Sequence, residues 1–210
     1  MDVLALLAEV GRVPVDRVIP TARLGDIGLG SSLTVGVLKS RMKRQWGVEL
    51  GVVDWRTTVA HIQSLVTSLP VTVPAALVAG ARSVVAAEPR RAGAPAPMLP
   101  SIAIGLDMQD LASLPAALED PFFPDHFTAA ELAAAASRTD WREHLCGVWC
   151  AKEAVKKAVP ALLGAPFTMI EVRHNAAGAP TLLAAGLIGA VSLSITHTAS
   201  AAAAVVVVSS

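Results

Sequence analysis

The sequence predicts two domains, an all-α N-terminal unit and an α+β C-terminal unit, and three observations carry that prediction. Apolar residues recur at helical spacing before residue 68, prolines crowd the stretch from Ser68 to Pro100, and helical and alternating patterns follow one another after it. With 210 residues and 53% apolar composition, the chain has the material for two small cores, and that apolar content argues against disorder.

In the first unit, Val3, Leu4, Leu6, Leu7 and Val10 form one apolar helical face, and a Pro- and Gly-punctuated loop follows from Gly11 to Gly30. Val35, Leu38 and Met42 mark a second helix, entered near Leu33 and stopped near Gly47, and a short helix follows Thr57 and Thr58. The intervening stretch carries Pro70, Pro74, Pro89, Pro95, Pro97 and Pro100, which deny it a long helix, so residues 70–100 read as a Pro/Ala-rich linker. Within it, residues 71–87 are apolar enough to pack.

The second unit begins with a strand over Ile102–Leu106 and continues with helices over Ala129–Ala136 and Glu143–Val159. Strand-like runs then cover Ile170–Arg173, Thr181–Leu183, Val191–Ile195 and Ala202–Val208, the first two separated by the turn Asn175–Gly178.

The net charge is zero but unevenly distributed: residues 1–69 carry +2 and residues 101–210 carry −4. Few basic residues and no aromatic stacking platform argue against nucleic-acid binding. Arg82 and the Thr196-His197-Thr198 segment interrupt the long apolar runs, so no membrane span is expected; without an export-type leader, a cytoplasmic location is. Cys146 and Cys150 have neither a second pair for zinc nor a secretory context, and read as buried free thiols.

Asp107, just past a strand, and Glu153, inside a long helix, supply the hard oxygen ligands that Mg²⁺ takes alongside water and phosphate. Lys157 follows Glu153 by four residues, which puts ammonium and carboxylate on one helical face able to serve a phosphate–metal site. Taken singly, each of these features is ordinary solvated surface.

Together they form an ordered set. Gly105-Leu106-Asp107, Phe127-Thr128-Ala129-Ala130-Glu131, the run from Trp149 to Ala158, Gly178-Ala179-Pro180 and Ser194-Ile195-Thr196-His197-Thr198 resemble holo-acyl-carrier-protein synthase across residues 101–210. The resemblance implies an α+β synthase-type phosphopantetheinyl transferase fold, with Asp107 and Glu153 as Mg²⁺ ligands and coenzyme A as substrate. It puts Lys152 and Lys157 near the phosphates, and His197 and Thr198 in a segment contacting coenzyme A. It further implies a homotrimer with active sites between subunits, and service in fatty acid or polyketide biosynthesis. The acceptor serine must lose a proton, to a metal-held water or to one of the two acids, and both routes are open.

Leu24-Gly25-Asp26-Ile27-Gly28-Leu29-Gly30-Ser31-Ser32-Leu33, with Gly47-Val48-Glu49-Leu50 and Thr57-Thr58-Val59, resembles an acyl carrier protein. That resemblance implies a four-helix carrier bundle over residues 1–69 and a 4′-phosphopantetheine attached at Ser32, with Ser31 as the runner-up. A Ser-Ser pair opening a helix is by itself ordinary N-capping.

Two departures concern charge. Carriers of this type usually present an acidic serine-bearing helix, whereas Lys39, Arg41, Lys43 and Arg44 make this one basic. The synthases usually present a basic first helix, whereas here Asp107 and Asp110 flank Met108 and Gln109, and Ser113 stands at an arginine position. A further departure is Val148, where many relatives have arginine. The inverted polarity predicts a transferase fitted to its own carrier. The alternatives are a carrier scaffold with an inactive transferase half, or an active transferase serving other acyl carrier proteins beside a vestigial carrier.

Overall fold

A computed structural model describes residues 2–68, 102–187 and 189–209; the linker expected at 70–100 lies outside the described residues. The N-terminal unit contains α1 (Val3–Gly11), α2 (Ser32–Trp46) and α3 (Val59–Thr67), with two short 3₁₀ turns between α1 and α2. Leu6, Leu7, Leu24, Leu29, Leu38, Met42, Val59 and Ile62 are buried in its core. Where a four-helix bundle is expected, the described residues 2–68 contain three α-helices. Residues 47–58 form no helix: Gly47 ends α2 in the left-handed conformation, and Asp54 closes a turn on the backbone of Arg56 and Thr57.

Ser31 fixes the start of α2. Its hydroxyl accepts the Thr34 amide at 3.1 Å, while Thr34 Oγ1 accepts the Ser31 amide at 3.2 Å. Thr58 caps α3 in the same way, accepting the His61 amide at 3.3 Å.

The C-terminal unit comprises β1 (Ile102–Asp110), α4 (Phe122–His126), α5 (Ala129–Ala136), α6 (Trp141–Ala158), β2 (Ile170–His174), β3 (Pro180–Ala184), β4 (Ala190–His197) and β5 (Ala201–Ser209). An antiparallel sheet runs β1-β5-β4, with Asp107 opposite Ala204 and Ala204 opposite Ile195; β2 and β3 form a separate hairpin. One face of the three-stranded sheet packs on α6, which is buried along most of its length. Gly105 permits the close approach of helix and strand: a Cβ there would run into the Ala154 carbonyl of α6. The opposite face exposes Ile102, Ile104, Leu106 and Met108, each at least 62% accessible.

The two units share a core. Leu33 and Val37 of α2 belong to the same buried cluster as Phe122, Phe123, Leu145 and Trp149. Among the described residues no helix is long and apolar enough to cross a membrane.

Candidate active site

Alternation along β1 turns Gly105, Asp107 and Gln109 toward α6, and the helix period brings Glu153 and Lys157 to the same seam. Lys157 donates to Asp107 Oδ1 at 2.7 Å and to the Leu106 carbonyl at 3.1 Å. Gln109 Nε2 donates to Asp107 Oδ2 at 3.2 Å, so both oxygens of this nearly buried carboxylate are engaged. Burial and, next, the neighbouring Asp107 carboxylate hold Glu153 above the usual carboxylate range, against the opposing pull of Lys157, Lys156 and the Ser32 hydroxyl.

Ser32 reaches this cluster from the other unit. Its exposed side chain opens α2, and its Oγ lies 3.5 Å from Gln109 Nε2. Ser32, Glu153, Lys39, His126, Trp149 and Trp55 line one cavity of about 410 Å³. Ser31 also borders it, but its hydroxyl is occupied in capping α2.

Asp107 and Glu153 fit a hard divalent cation. They offer adjacent carboxylates, and their mutual repulsion is what such an ion would relieve. Among the described residues no group of three or more His, Cys, Asp or Glu side chains is arranged to hold a metal, so water and phosphate oxygens would complete the shell.

Lys152 does not join this site. It is fully buried, and its ammonium donates to Glu131 at 2.6 Å, to the His126 carbonyl at 3.0 Å and to the Phe167 carbonyl at 3.1 Å. Three donors with three acceptors leave none for a phosphate, and the expected phosphate-facing role is corrected to a structural one. Glu131 accepts from the Thr128 and Val172 amides as well, which ties α5 and β2 to α6.

His197 also stands apart from Glu153. It lines a second cavity, of about 360 Å³, with Arg138, His144, His174, Gly178 and Pro180. There, burial and then Arg138 lower His144 to about 4. Thr198 Oγ1 accepts from the Ser200 and Ala201 amides, so within this chain the side chain shapes the β4–β5 turn. Cys146 and Cys150 are free and buried, as expected.

Sequence reading missed Gln109 and His126. Gln109 was legible as the next residue on the Asp107 face of the strand. His126 donates from Nδ1 to the Phe122 carbonyl at 2.8 Å, and burial lowers its pKa, so a neutral Nε2 remains as an acceptor.

Comparison with known proteins identifies the family. The sequence model of the 4′-phosphopantetheinyl transferase superfamily matches residues 103–207, half of the chain, and the chain belongs to that superfamily. It is an enzyme, a 4′-phosphopantetheinyl transferase. Similar solved structures include a holo-(acyl-carrier-protein) synthase from Bacillus anthracis str. Ames in complex with CoA (3′,5′-ADP), at 31% identity over 51% of this chain and 96% of that one, TM-score 0.45. Another is the Chronobacterium ammoniagenes ACPS-CoA complex, at 28% identity over 51% of this chain and 96% of that one, TM-score 0.44. The Mycobacterium tuberculosis acyl carrier protein synthase matches at 28% identity over 51% of this chain and 96% of that one, TM-score 0.39.

Proposed function

We propose that the chain transfers the 4′-phosphopantetheine arm of coenzyme A to Ser32 of its own N-terminal, carrier-like unit, with Mg²⁺ held by Asp107 and Glu153. The observation that carries this reading is the approach of Ser32 Oγ to Gln109, 3.5 Å away, in a cavity that also contains Glu153.

Ser32 Oγ attacks the β-phosphorus of coenzyme A, forming the new P–O ester as the bond to the departing adenosine 3′,5′-bisphosphate breaks. The serine proton passes to Glu153, which lines the same cavity as Ser32. Gln109 orients Asp107 and the serine oxygen, and Lys157, half exposed beside Asp107, is available to the pyrophosphate. Asp107 and Glu153 would hold Mg²⁺, and the ion would supply charge neutralisation at the phosphate oxygens. The apolar outer face of β1 supports a homotrimer in which that face is covered by further copies. His197 and Thr198 then serve the nucleotide end of coenzyme A held by a neighbouring copy.

Intact mass of apo protein incubated with coenzyme A and Mg²⁺ tests the reading. A gain of about 340 Da, the mass of the attached arm, is expected for wild type and is absent from Ser32→Ala and Asp107→Ala. An unchanged wild type that modifies a separate carrier in the same tube would remove Ser32 as the acceptor.

A further inference from the structure

The α2 helix meets the transferase half through a seat built from both shape and charge. At its centre is Gly36, one helical turn after Ser32. A Cβ added there would lie 3.1 Å from Phe122 Cε2, 3.4 Å from Trp149 Cη2 and 3.5 Å from His126 Nε2. The missing side chain is therefore a notch that receives the aromatic cluster of α4 and α6, with Leu33 and Val37 packing on either side.

Beyond the notch stands Arg41, one to two turns further along α2. Its Nε and Nη2 both reach Asp120 Oδ2 at 2.9 Å, and its Nη1 reaches Glu9 Oε1 at 2.7 Å. Asp120 is fixed in place: its side chain is only 9% exposed, and its other oxygen accepts the Phe122 amide at 2.9 Å, holding the first turn of α4. An arginine that uses two nitrogens on a nearly buried carboxylate is a geometric lock rather than a diffuse attraction.

The same polarity continues along the seam. Lys39 and Lys43 from α2 line a cavity of about 300 Å³ with Asp125 and His126 of α4. Lys43 pairs chiefly with Glu49 at 2.8 Å and feels Asp125 across the gap. Basic groups thus come from the serine-bearing helix and acidic ones from the transferase, in line with the +2 and −4 charges of the two halves.

We propose that Asp120 and Asp125, with the Phe122–Trp149 surface, form a carrier-recognition seat that selects the basic, glycine-notched α2 helix of this chain and rejects carriers whose serine-bearing helix is acidic. This inference rests on Ser32 as the acceptor and adds what determines the choice of carrier. An acidic helix in this seat would face Asp120 unpaired and nearly buried, and a branched side chain at the notch would collide with Phe122.

The test uses full-length protein. Asp120→Asn keeps an oxygen for the Phe122 amide while removing the charge, and Arg41→Gln removes its partner. For modification of Ser32 followed by intact mass, each single variant is expected to slow the reaction about tenfold, and the double variant to slow it no further, as a coupled pair requires. Rates equal to wild type in both singles, or losses that multiply in the double, would overturn the proposal. A second arm adds an apo acyl carrier protein with an acidic serine-bearing helix to the Ser32→Ala protein. There Asp120→Asn with Asp125→Asn is expected to raise transfer at least several-fold above Arg41→Gln, which loosens α2 but leaves the acids in place. No such difference would overturn the polarity argument. This arm reads out even if wild-type Ser32 is never modified, which separates failure of the acceptor assignment from failure of the recognition seat. If neither acceptor is modified, amide exchange across α2 in the four proteins reports the same coupling: protection lost in each single and no further in the double supports the seat, and unchanged protection overturns it.

Discussion

Gln109 and Asp107 point to the same side of β1, and the Gln109 amide donates to Asp107 Oδ2 at 3.2 Å while also approaching Ser32 Oγ at 3.5 Å. One uncharged side chain thus touches both the metal-ligand candidate and the acceptor candidate. Gln109→Leu is expected to lower the transfer rate about tenfold, the scale of one lost hydrogen bond to a charged group, with little change in melting temperature. Single-turnover rates and thermal melts on the same samples check this.

Glu153 carries a stability cost that follows from its position. Its folded-state pKa is raised above the unfolded value, first by burial and then by Asp107. The sign is therefore that of a group that favours folding less as pH rises through its folded pKa. Glu153→Gln is expected to raise the melting temperature by a few degrees at neutral pH and to abolish transfer, with the stability gain vanishing below the ordinary carboxylate range. Melts at several pH values, read beside the activity, decide it.

The Lys152–Glu131 pair should behave oppositely. Its two side chains are at most 1% exposed and meet at 2.6 Å. Lys152→Met leaves a buried carboxylate unpaired and is expected to destabilise the protein by about 3 kcal/mol or more in urea unfolding. A lysine acting on phosphate would instead show its loss as weaker coenzyme A binding in a protein of normal stability.

His144 is expected to stay neutral until pH falls to about 4, as burial and Arg138 disfavour its charged form. A histidine whose folded pKa is depressed withdraws stability as pH falls from the ordinary histidine range toward that value. NMR titration of the imidazole resonances reads the pKa directly, and His144→Gln should flatten the stability profile over this interval.

Cys150 is pushed to a higher pKa, first by hydrogen bonding with Cys146 and then by burial. Both thiols should resist alkylation in the folded protein and react on unfolding, which mass spectrometry after iodoacetamide treatment reports.

Much of the C-terminal unit was legible because its signals are local. Strand-like apolar runs marked β1, β4 and β5, and helical patterns marked α5 and α6. The five-residue α4 escaped notice, since Pro124 and Asp125 in so short a segment leave no apolar period to read. Asp107, Glu153 and Lys157 were readable as a spaced set, and the structure brings them to one seam. Lys152 was not separable from Lys157 by spacing, because only tertiary burial distinguishes a core cation from a surface one. The Arg41–Asp120 pair spans 79 residues, a distance over which sequence pattern carries no pairing information.

The shared cluster of Leu33 and Val37 with Phe122 and Trp149 has a consequence for how the molecule comes apart. A boundary drawn at the linker would cut this core and leave an aromatic surface bare on one fragment and two aliphatic side chains bare on the other. Heating should therefore melt the two halves in one cooperative transition, and a truncated transferase should be the more aggregation-prone species. In that sense the N-terminal unit is a structural cover for the transferase half.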